Sequence, residues 1–281
     1  MASVERFETE RPRLRSLAYR MLGSMAEAED VVQDAFLRWQ SEDDARIDNP
    51  PGFLTTVVTR LCLDVQKSAR SRREAYVGPW LPEPLMDIDP APRDPQSISL
   101  AFLVVLESLS PLERAAFLLA EVFDHTSAEI ATILGRDEAA CRQLVSRARA
   151  HVAARKPRFA PSREAHERVL TGFLMACATG DVGGLSKMLA ADVTAWNDGG
   201  GRVRAALKPV FGPDRVARLI VGVLRKGPQD ISVTVADVNG WPAIVVRHGA
   251  VVQSITDLET DGEHIFAVRT VLNPDKLHRV V

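Results

Sequence analysis

Arg136, Arg142, Arg147, Arg149, Arg155, Lys156, Arg158 and Arg163 crowd one short stretch of a 281-residue chain whose charges otherwise almost cancel, 35 Lys+Arg against 37 Asp+Glu. A near-neutral protein with one local basic block has a polyanion-facing task confined to that block. Gln143 and Ser146 lie among these cations. Guanidinium, amide and hydroxyl groups on one helical face can donate to phosphates and to the base edges of a major groove.

The elements that hold those groups are legible. Ser110-Pro111-Leu112-Glu113 places a capping hydroxyl, a proline at the first helical position and a returning carboxylate where a capping box needs them. Thr126-Ser127-Ala128-Glu129 repeats the box and opens a helix with Ile130, Ile133 and Leu134 on one side, ended by Gly135. Asp137 then caps a third helix whose apolar stripe is Cys141, Leu144, Val145, Ala148 and Val152. Its other face carries Arg142, Ser146 and Arg149, flanked by Gln143 and Arg147. This is the layout of a helix-turn-helix. A small helical bundle with a solvated basic face is the competing reading, and the clustering of the cations favours the groove.

Four segments separate by texture: a helical pattern over 1–75, a proline-rich connector over 76–99, the helices just described within 100–158, and an α+β pattern over 160–281. The connector holds Pro79, Pro82, Pro84, Pro90, Pro92 and Pro95, too many for a helix or a central strand. In the last segment, helical patterns at 163–179, 182–190 and 213–225 precede β-branched runs at 231–238, 243–247, 250–258 and 265–272, with a strand expected at 194–197. Asn239-Gly240, His248-Gly249 and Asp261-Gly262 punctuate the runs as hairpin turns, so a curved antiparallel sheet packed on helices is expected. No apolar run reaches the roughly 18 residues of a membrane span, and residues 1–10 lack a signal-peptide core. A cytoplasmic protein with no membrane partner is expected. Cys62, Cys141 and Cys177 are far apart and sit in apolar periodic segments, which points to buried thiols and to neither a disulfide nor a metal site.

Within the first segment the charge is polarised. Glu27, Glu29, Asp30, Asp34, Glu42, Asp43, Asp44 and Asp48 fall together on and beyond a helix with Val32, Phe36 and Trp39 on its apolar face. The next helix, from about Phe53 to Arg73, offers Arg60, Lys67, Arg70, Arg72 and Arg73 against Asp64 alone. An acidic helix can dock on a basic protein surface and a basic one can face phosphates. The two can equally form a self-complementary pair.

Ala28-Glu29-Asp30-Val31-Val32-Gln33-Asp34-Ala35-Phe36 followed by Arg38-Trp39 resembles the core-binding helix of bacterial sigma factors, the promoter-specificity subunits of RNA polymerase. Phe53-Leu54 through Arg60 and Asp64 is similar to their promoter-melting helix, and Leu109-Ser110-Pro111 through Arg147-Ala148-Arg149 to their promoter-reading domain. With no further sigma region between them, the layout resembles the extracytoplasmic-function group. The resemblance implies that Asp30, Gln33, Asp34, Phe36 and Trp39 contact core RNA polymerase. It implies that Arg60, Asp64, Arg70, Arg72 and Arg73 contact the melted minus-10 element, and that Arg142, Gln143, Ser146, Arg147 and Arg149 contact promoter DNA at minus-35. Leu61 and Leu144 depart from the polar residue and the arginine usual in the family.

Trp80-Leu81-Pro82-Glu83-Pro84 resembles the linker signature of a sigma subgroup with a C-terminal SnoaL-like domain, and 160–281 resembles that nuclear-transport-factor-like cone. Asp198-Gly199-Gly200-Gly201 and Asn273-Pro274-Asp275-Lys276-Leu277 match the subgroup's motifs, with Arg202 where lysine is common. A tryptophan among prolines is a rigid anchor for another domain, or a surface ring packed on its own connector. The fold expected is therefore multidomain: two all-α sigma domains, the second with the helix-turn-helix, plus an α+β cone. Relatives of such cones include enzymes that use a pocket carboxylate as base, and Asp198 with Asp237, Asp257, Arg247 or His248 is the set such chemistry would draw on. Asp198 as a turn cap without chemistry is the plain alternative. The favoured expectation is a non-enzymatic regulator with no cofactor and no metal, in which Trp80, Leu81, Pro82, Glu83, Pro84, Asp198, Gly199, Gly200, Asn273, Pro274, Asp275 and Lys276 make the interdomain contacts and the cone takes a small apolar ligand.

Overall fold

The computed structural model describes residues 2–42, 47–86, 99–155, 161–228 and 230–278. They group into two compact units, one drawn from residues 2–74 and 102–155, the other from 75–86, 99–101 and 161–278. The connector segment 75–86 thus belongs with the C-terminal unit.

The first unit is helical: α1 (Ala2–Leu22), α2 (Met25–Ser41), α3 (Pro50–Glu74), α4 (Leu100–Leu106, in this unit from Phe102), α5 (Pro111–Glu121), α6 (Ser127–Leu134) and α7 (Glu138–Arg155). Ser24 caps α2, its hydroxyl accepting from the Glu27 N–H. The helix buries Ala28, Val31, Val32, Ala35 and Trp39 and leaves Asp30, Gln33, Asp34, Leu37 and Arg38 in solvent, the division its apolar spacing demands. Both capping boxes form. Ser110 Oγ accepts from the Glu113 N–H while Glu113 Oε2 accepts from the Ser110 N–H at 3.1 Å, and Thr126 and Glu129 do the same at the start of α6. Gly135 ends α6 in the left-handed region, φ 63°, where a side chain would be strained. Asp137 Oδ1 accepts from the Ala140 N–H at 2.7 Å and starts α7. Ala116, Leu119, Ile130, Ile133, Cys141, Leu144 and Val145 close the core of the helix-turn-helix, which gives Leu144 its physical reason: an arginine there would lie under α5 and α6.

Two guanidinium groups tie the early helices to the later ones in this unit, each at a helix C-terminus where carbonyls lack partners. Arg114, 2% exposed, donates from Nη1 to the Met21 carbonyl at 2.7 Å and to Glu107 at 2.6 Å, and from Nε to the Leu106 carbonyl. Arg60 of α3 donates to the Ile133 carbonyl at 3.1 Å and the Thr132 carbonyl at 3.3 Å, at the end of α6.

The second unit contains α8 (Arg163–Thr179), α9 (Val182–Met188), β1 (Leu189–Asp198), β2 (Val210–Phe211), α10 (Pro213–Leu224), β3 (Ile231–Val238), β4 (Trp241–His248), β5 (Val251–Thr260), β6 (Ile265–Val271) and α11 (Pro274–Leu277). The sheet order is β2-β1-β6-β5-β4-β3. The four late strands form the expected run of antiparallel hairpins, and Asn239 (φ 52°) with Gly240 (φ 77°) makes the tight turn whose twist suits them. β1 departs from expectation. It starts at Leu189 rather than 194 and pairs in parallel with β6, because Leu189 and Val193 are core residues of the sheet's helix-facing side. The pairings of β1 with β6, β4 with β5 and β5 with β6 each carry a register shift, the mark of a bulge, and α8, α9 and α10 pack on the sheet. Val169, Leu170, Phe173, Val216, Val221, Ile244, Leu258 and Val268 fill the space between. The unit is thus the α+β arrangement expected, one curved sheet packed on helices.

The caps generate a direct expectation. Thr126→Ala removes the acceptor for the Glu129 N–H and should cost about 1 kcal/mol, with Thr126→Ser close to wild type, read as the denaturation midpoint of the helical signal by circular dichroism.

Candidate functional site

Three surfaces carry the side chains singled out by sequence. On α2, Asp30, Gln33 and Asp34 share the exposed side with Leu37, which is 55% exposed, and Arg38. Phe36 is half-buried and tilts against Phe7 at 4.9 Å between ring centroids, with the Arg11 guanidinium over both rings. Trp39 does not join them. It is 1% exposed, 6.1 Å from the Phe53 ring, so its contribution is to seat α2 on α3 rather than to touch a partner. Asp43 and Asp44 lie outside the described residues.

On α3, Asp64 is exposed and receives the Lys67 ammonium at 2.8 Å. The side chains of Arg70, Arg72 and Arg73 lie outside the described set. Arg60, expected to face DNA, spends its guanidinium on the α6 carbonyls instead. On α7, Arg142, Gln143, Ser146, Arg147 and Arg149 are all exposed, opposite the buried stripe of Cys141, Leu144, Val145, Ala148 and Val152. Two of the arginines are tied sideways to α5, Arg149 to Glu121 at 2.6 Å and Arg147 to Glu113 at 3.5 Å, whereas Arg142 pairs along its own helix with Glu138 at 2.5 Å. Hydrogen bonds from Ser110 hold the Glu113 carboxyl below the usual carboxylate range, so it stays charged for both its cap and Arg147.

The third surface is in the second unit, where the connector, the Asp198-Gly199-Gly200 turn and the Asn273–Lys276 segment converge on Asp198. Its carboxylate, 0% exposed, accepts from the Tyr76 hydroxyl at 2.5 Å, from the Leu81 N–H at 2.8 Å and from the Lys276 ammonium at 2.7 Å. Its backbone carbonyl accepts from the N–H groups of Leu272 and Asn273. Lys276 also donates to the Leu81 carbonyl and lies over the Trp80 ring, 4.2 Å from the centroid. Asn273 donates from Nδ2 to the Tyr76 oxygen at 2.9 Å and with Oδ1 caps α11, where Pro274 occupies the first turn. Gly200 (φ 57°) has no room for a side chain, because a Cβ would run into Asn273 and the Tyr76 hydroxyl, and one on Gly199 would meet the Val203 carbonyl. Leu81, Pro82, Glu83 and Pro84 are buried, and further along Leu85 is held to Asn239 at both its N–H and its carbonyl. Asp275 is peripheral, paired with Arg202 in solvent. Sequence reading missed Tyr76, Leu85 and Asn239; a tyrosine beside a proline-rich run and an Asn-Gly turn carry no sign of a partner more than a hundred positions away.

The carboxylates and cations that a catalytic reading would need are dispersed. Asp237 pairs with Arg163, Asp257 with Arg269, Arg247 with the Met86 sulfur and His248 with Asp230, none of them shared with Asp198. Burial pushes the Asp257 carboxyl up, and the Arg269 and His166 charges pull it back.

Comparison with known proteins agrees with this architecture. Residues 6–73 match the model for Sigma-70 region 2 and residues 99–152 that for Sigma-70, region 4. The ECF RNA polymerase sigma factor SigJ of Mycobacterium tuberculosis is 38% identical over 97% of this chain and 92% of its own length, and the probable ECF RNA polymerase sigma factor SigI of the same organism is 35% identical over 93% and 90%. The crystal structure of the M. tuberculosis SigJ superposes with a TM-score of 0.77 at 35% identity, covering 98% of both chains. The fold and the paired α-helical regions are those of a dissociable transcription-initiation subunit. The chain belongs to the extracytoplasmic-function RNA polymerase sigma factors. Among the described residues no helix is long and apolar enough to cross a membrane.

Two expectations follow from the Asp198 cluster. Asp198→Asn uncouples a buried pair whose Lys276 partner is 9% exposed and should cost about 3–5 kcal/mol in a chemical denaturation curve. The same change at Asp237, paired with Arg163 in solvent, should cost under about 1 kcal/mol. Burial and then the hydrogen bond to Asp198 hold the Tyr76 phenol above its ordinary value of 10.0. A group that binds its proton more tightly when folded contributes stability below its unfolded pKa and loses it as pH rises past that point. Stability should therefore fall more steeply above pH 10 in the wild type than in Tyr76→Phe.

Proposed function

We propose that this sigma factor engages core RNA polymerase through the exposed acidic side of α2, with Asp30, Gln33 and Asp34 meeting cations and Leu37 adding apolar contact. Phe36 and Trp39 hold that side in place from beneath. Promoter DNA is then shared between α3, through Arg60, Asp64, Arg70, Arg72 and Arg73, and α7, through Arg142, Gln143, Ser146, Arg147 and Arg149. Arg60 exchanges the α6 carbonyls for phosphates when promoter is bound, so α3 and α6 part in the working complex.

The observation that carries this reading is the full-length likeness to curated sigma factors, joined to exposure of the acidic α2 side and of the α7 guanidinium groups. The C-terminal unit acts as a built-in regulator. Its Asp198 cluster fixes Tyr76 and Leu81 and its Asn239 fixes Leu85, all on the tether between the two promoter-facing regions, and so limits how far those regions can separate. We read the unit as binding and positioning rather than catalysing, with any small apolar ligand acting by loosening that hold, and the whole protein as working in the cytoplasm beside its polymerase.

In vitro transcription with core polymerase tests both halves. Asp34→Ala should lower polymerase affinity several-fold without changing the promoter chosen. Trp80→Ala and a chain stopped at Pro161 should shift transcript yield in the same direction, since both release the tether. Unchanged polymerase binding for Asp34→Ala, or opposite shifts for the other two, would sink the corresponding half.

A further inference from the structure

The α7 arginines are not equivalent. Arg147 and Arg149 lean away to carboxylates of α5, at the sides of the helix. Arg142 instead stays on the outward stripe formed by Glu138, Ala139, Arg142, Gln143 and Ser146, all exposed and all in the first half of the helix. That is the half of a second helix-turn-helix helix whose side chains reach base edges. Its only acidic member is Glu138, whose Oε1 takes the Arg142 Nη1 at 2.5 Å, with the two side chains 49% and 58% exposed. A solvent-exposed pair of this kind adds little to fold stability. Its placement bears on what the helix reads.

Resting on the promoter-reading role given above for α7, we propose that Glu138 is a specificity-determining residue of this sigma factor, reading an amino-bearing base, cytosine or adenine, next to the base that Arg142 reads. An ionised carboxylate carries acceptors only. Brought into a groove lined by phosphates it is repelled, unless it meets a base-edge donor, and in the major groove those donors are cytosine N4 and adenine N6. Opposite guanine O6 or thymine O4 it would set acceptor against acceptor. The pairing with Arg142 occupies one edge of the guanidinium and fixes the direction of the other, which suits it to the paired acceptors of guanine. Glu138 thus confers discrimination at a cost in overall affinity, the behaviour of a repulsive element built for selectivity.

The test uses holoenzyme assembled from the full chain and core polymerase, incubated with duplexes randomised across the upstream element, and compares the wild type with Glu138→Gln, Glu138→Ala and Arg149→Ala. The wild type should enrich sequences with a guanine flanked by cytosine or adenine on the same strand. Glu138→Ala should lose about tenfold of the preference at the flanking position alone, while its affinity for a non-specific duplex stays level or rises. Glu138→Gln, which can donate as well as accept, should admit guanine or thymine there. Arg149→Ala should weaken all duplexes alike and reduce the slope of log affinity against log salt by about 0.9, as expected for a lost phosphate contact. Identical preferences in the wild type and both Glu138 variants would overturn the proposal, as would a uniform loss across all duplexes by Glu138→Ala. A wild-type holoenzyme that enriches nothing would overturn the promoter-reading role of α7 itself, and the proposal with it.

Discussion

One buried carboxylate organises the second unit. Asp198 ends β1, the strand that joins β2 to the four-stranded antiparallel run, and from that position it accepts from a connector hydroxyl, a connector N–H and the ammonium of α11. A charge removed from water to this degree is tolerable only with full hydrogen bonding and a counter-ion. Lys276 supplies the charge, and the Tyr76 and Leu81 donors supply the remaining bonds. Because two of the three donors belong to residues 76–81, the cluster cannot be satisfied unless the connector lies in place. The connector's order and the strand's end are one structural event.

The first unit is held by a different use of charge. Arg114 and Arg60 each bring a guanidinium to the carbonyl end of a helix, α1 for Arg114 and α6 for Arg60, and in doing so join segments far apart in sequence. The two differ in depth. Arg114 is 2% exposed and also meets Glu107, so releasing it would strand a buried cation. Arg60 is exposed, and water can take over its bonds at small cost. Of the two bridges, that of Arg60 is therefore the cheaper to release and that of Arg114 the costlier.

How much of this was legible in the sequence follows the range of each interaction. Local signals were read correctly. Ser110, Thr126 and Asp137 start helices where their side chains predict, Gly135 stops one, and Asn239-Gly240 turns a hairpin, because each of these is decided within four residues. Apolar periodicity placed the buried stripe of α7 and the inner side of α2, but it could not separate Trp39, which fills the core, from Phe36, which reaches the surface. Both sit on the same helical face, and the neighbours each meets, Phe53 for Trp39 and Phe7 for Phe36, decide between them. The parallel pairing of β1 with β6 and the bonds from Tyr76 and Asn239 span separations for which a single sequence has no local mark.

The motifs of the connector and the C-terminal unit look unrelated when read as strings, a tryptophan among prolines, an aspartate before three glycines, an Asn-Pro turn. In space they are parts of one socket. Gly200 is small because Asn273 and the Tyr76 hydroxyl stand where its side chain would be, Asn273 caps α11 while holding that hydroxyl, and α11 brings Lys276 beneath the Trp80 ring and onto Asp198. None of these residues needs to perform chemistry to be constrained in type, since each is specified by another. A socket so mutually determined fixes residues 76–81 on the C-terminal unit by charge, hydrogen bonding and packing alone.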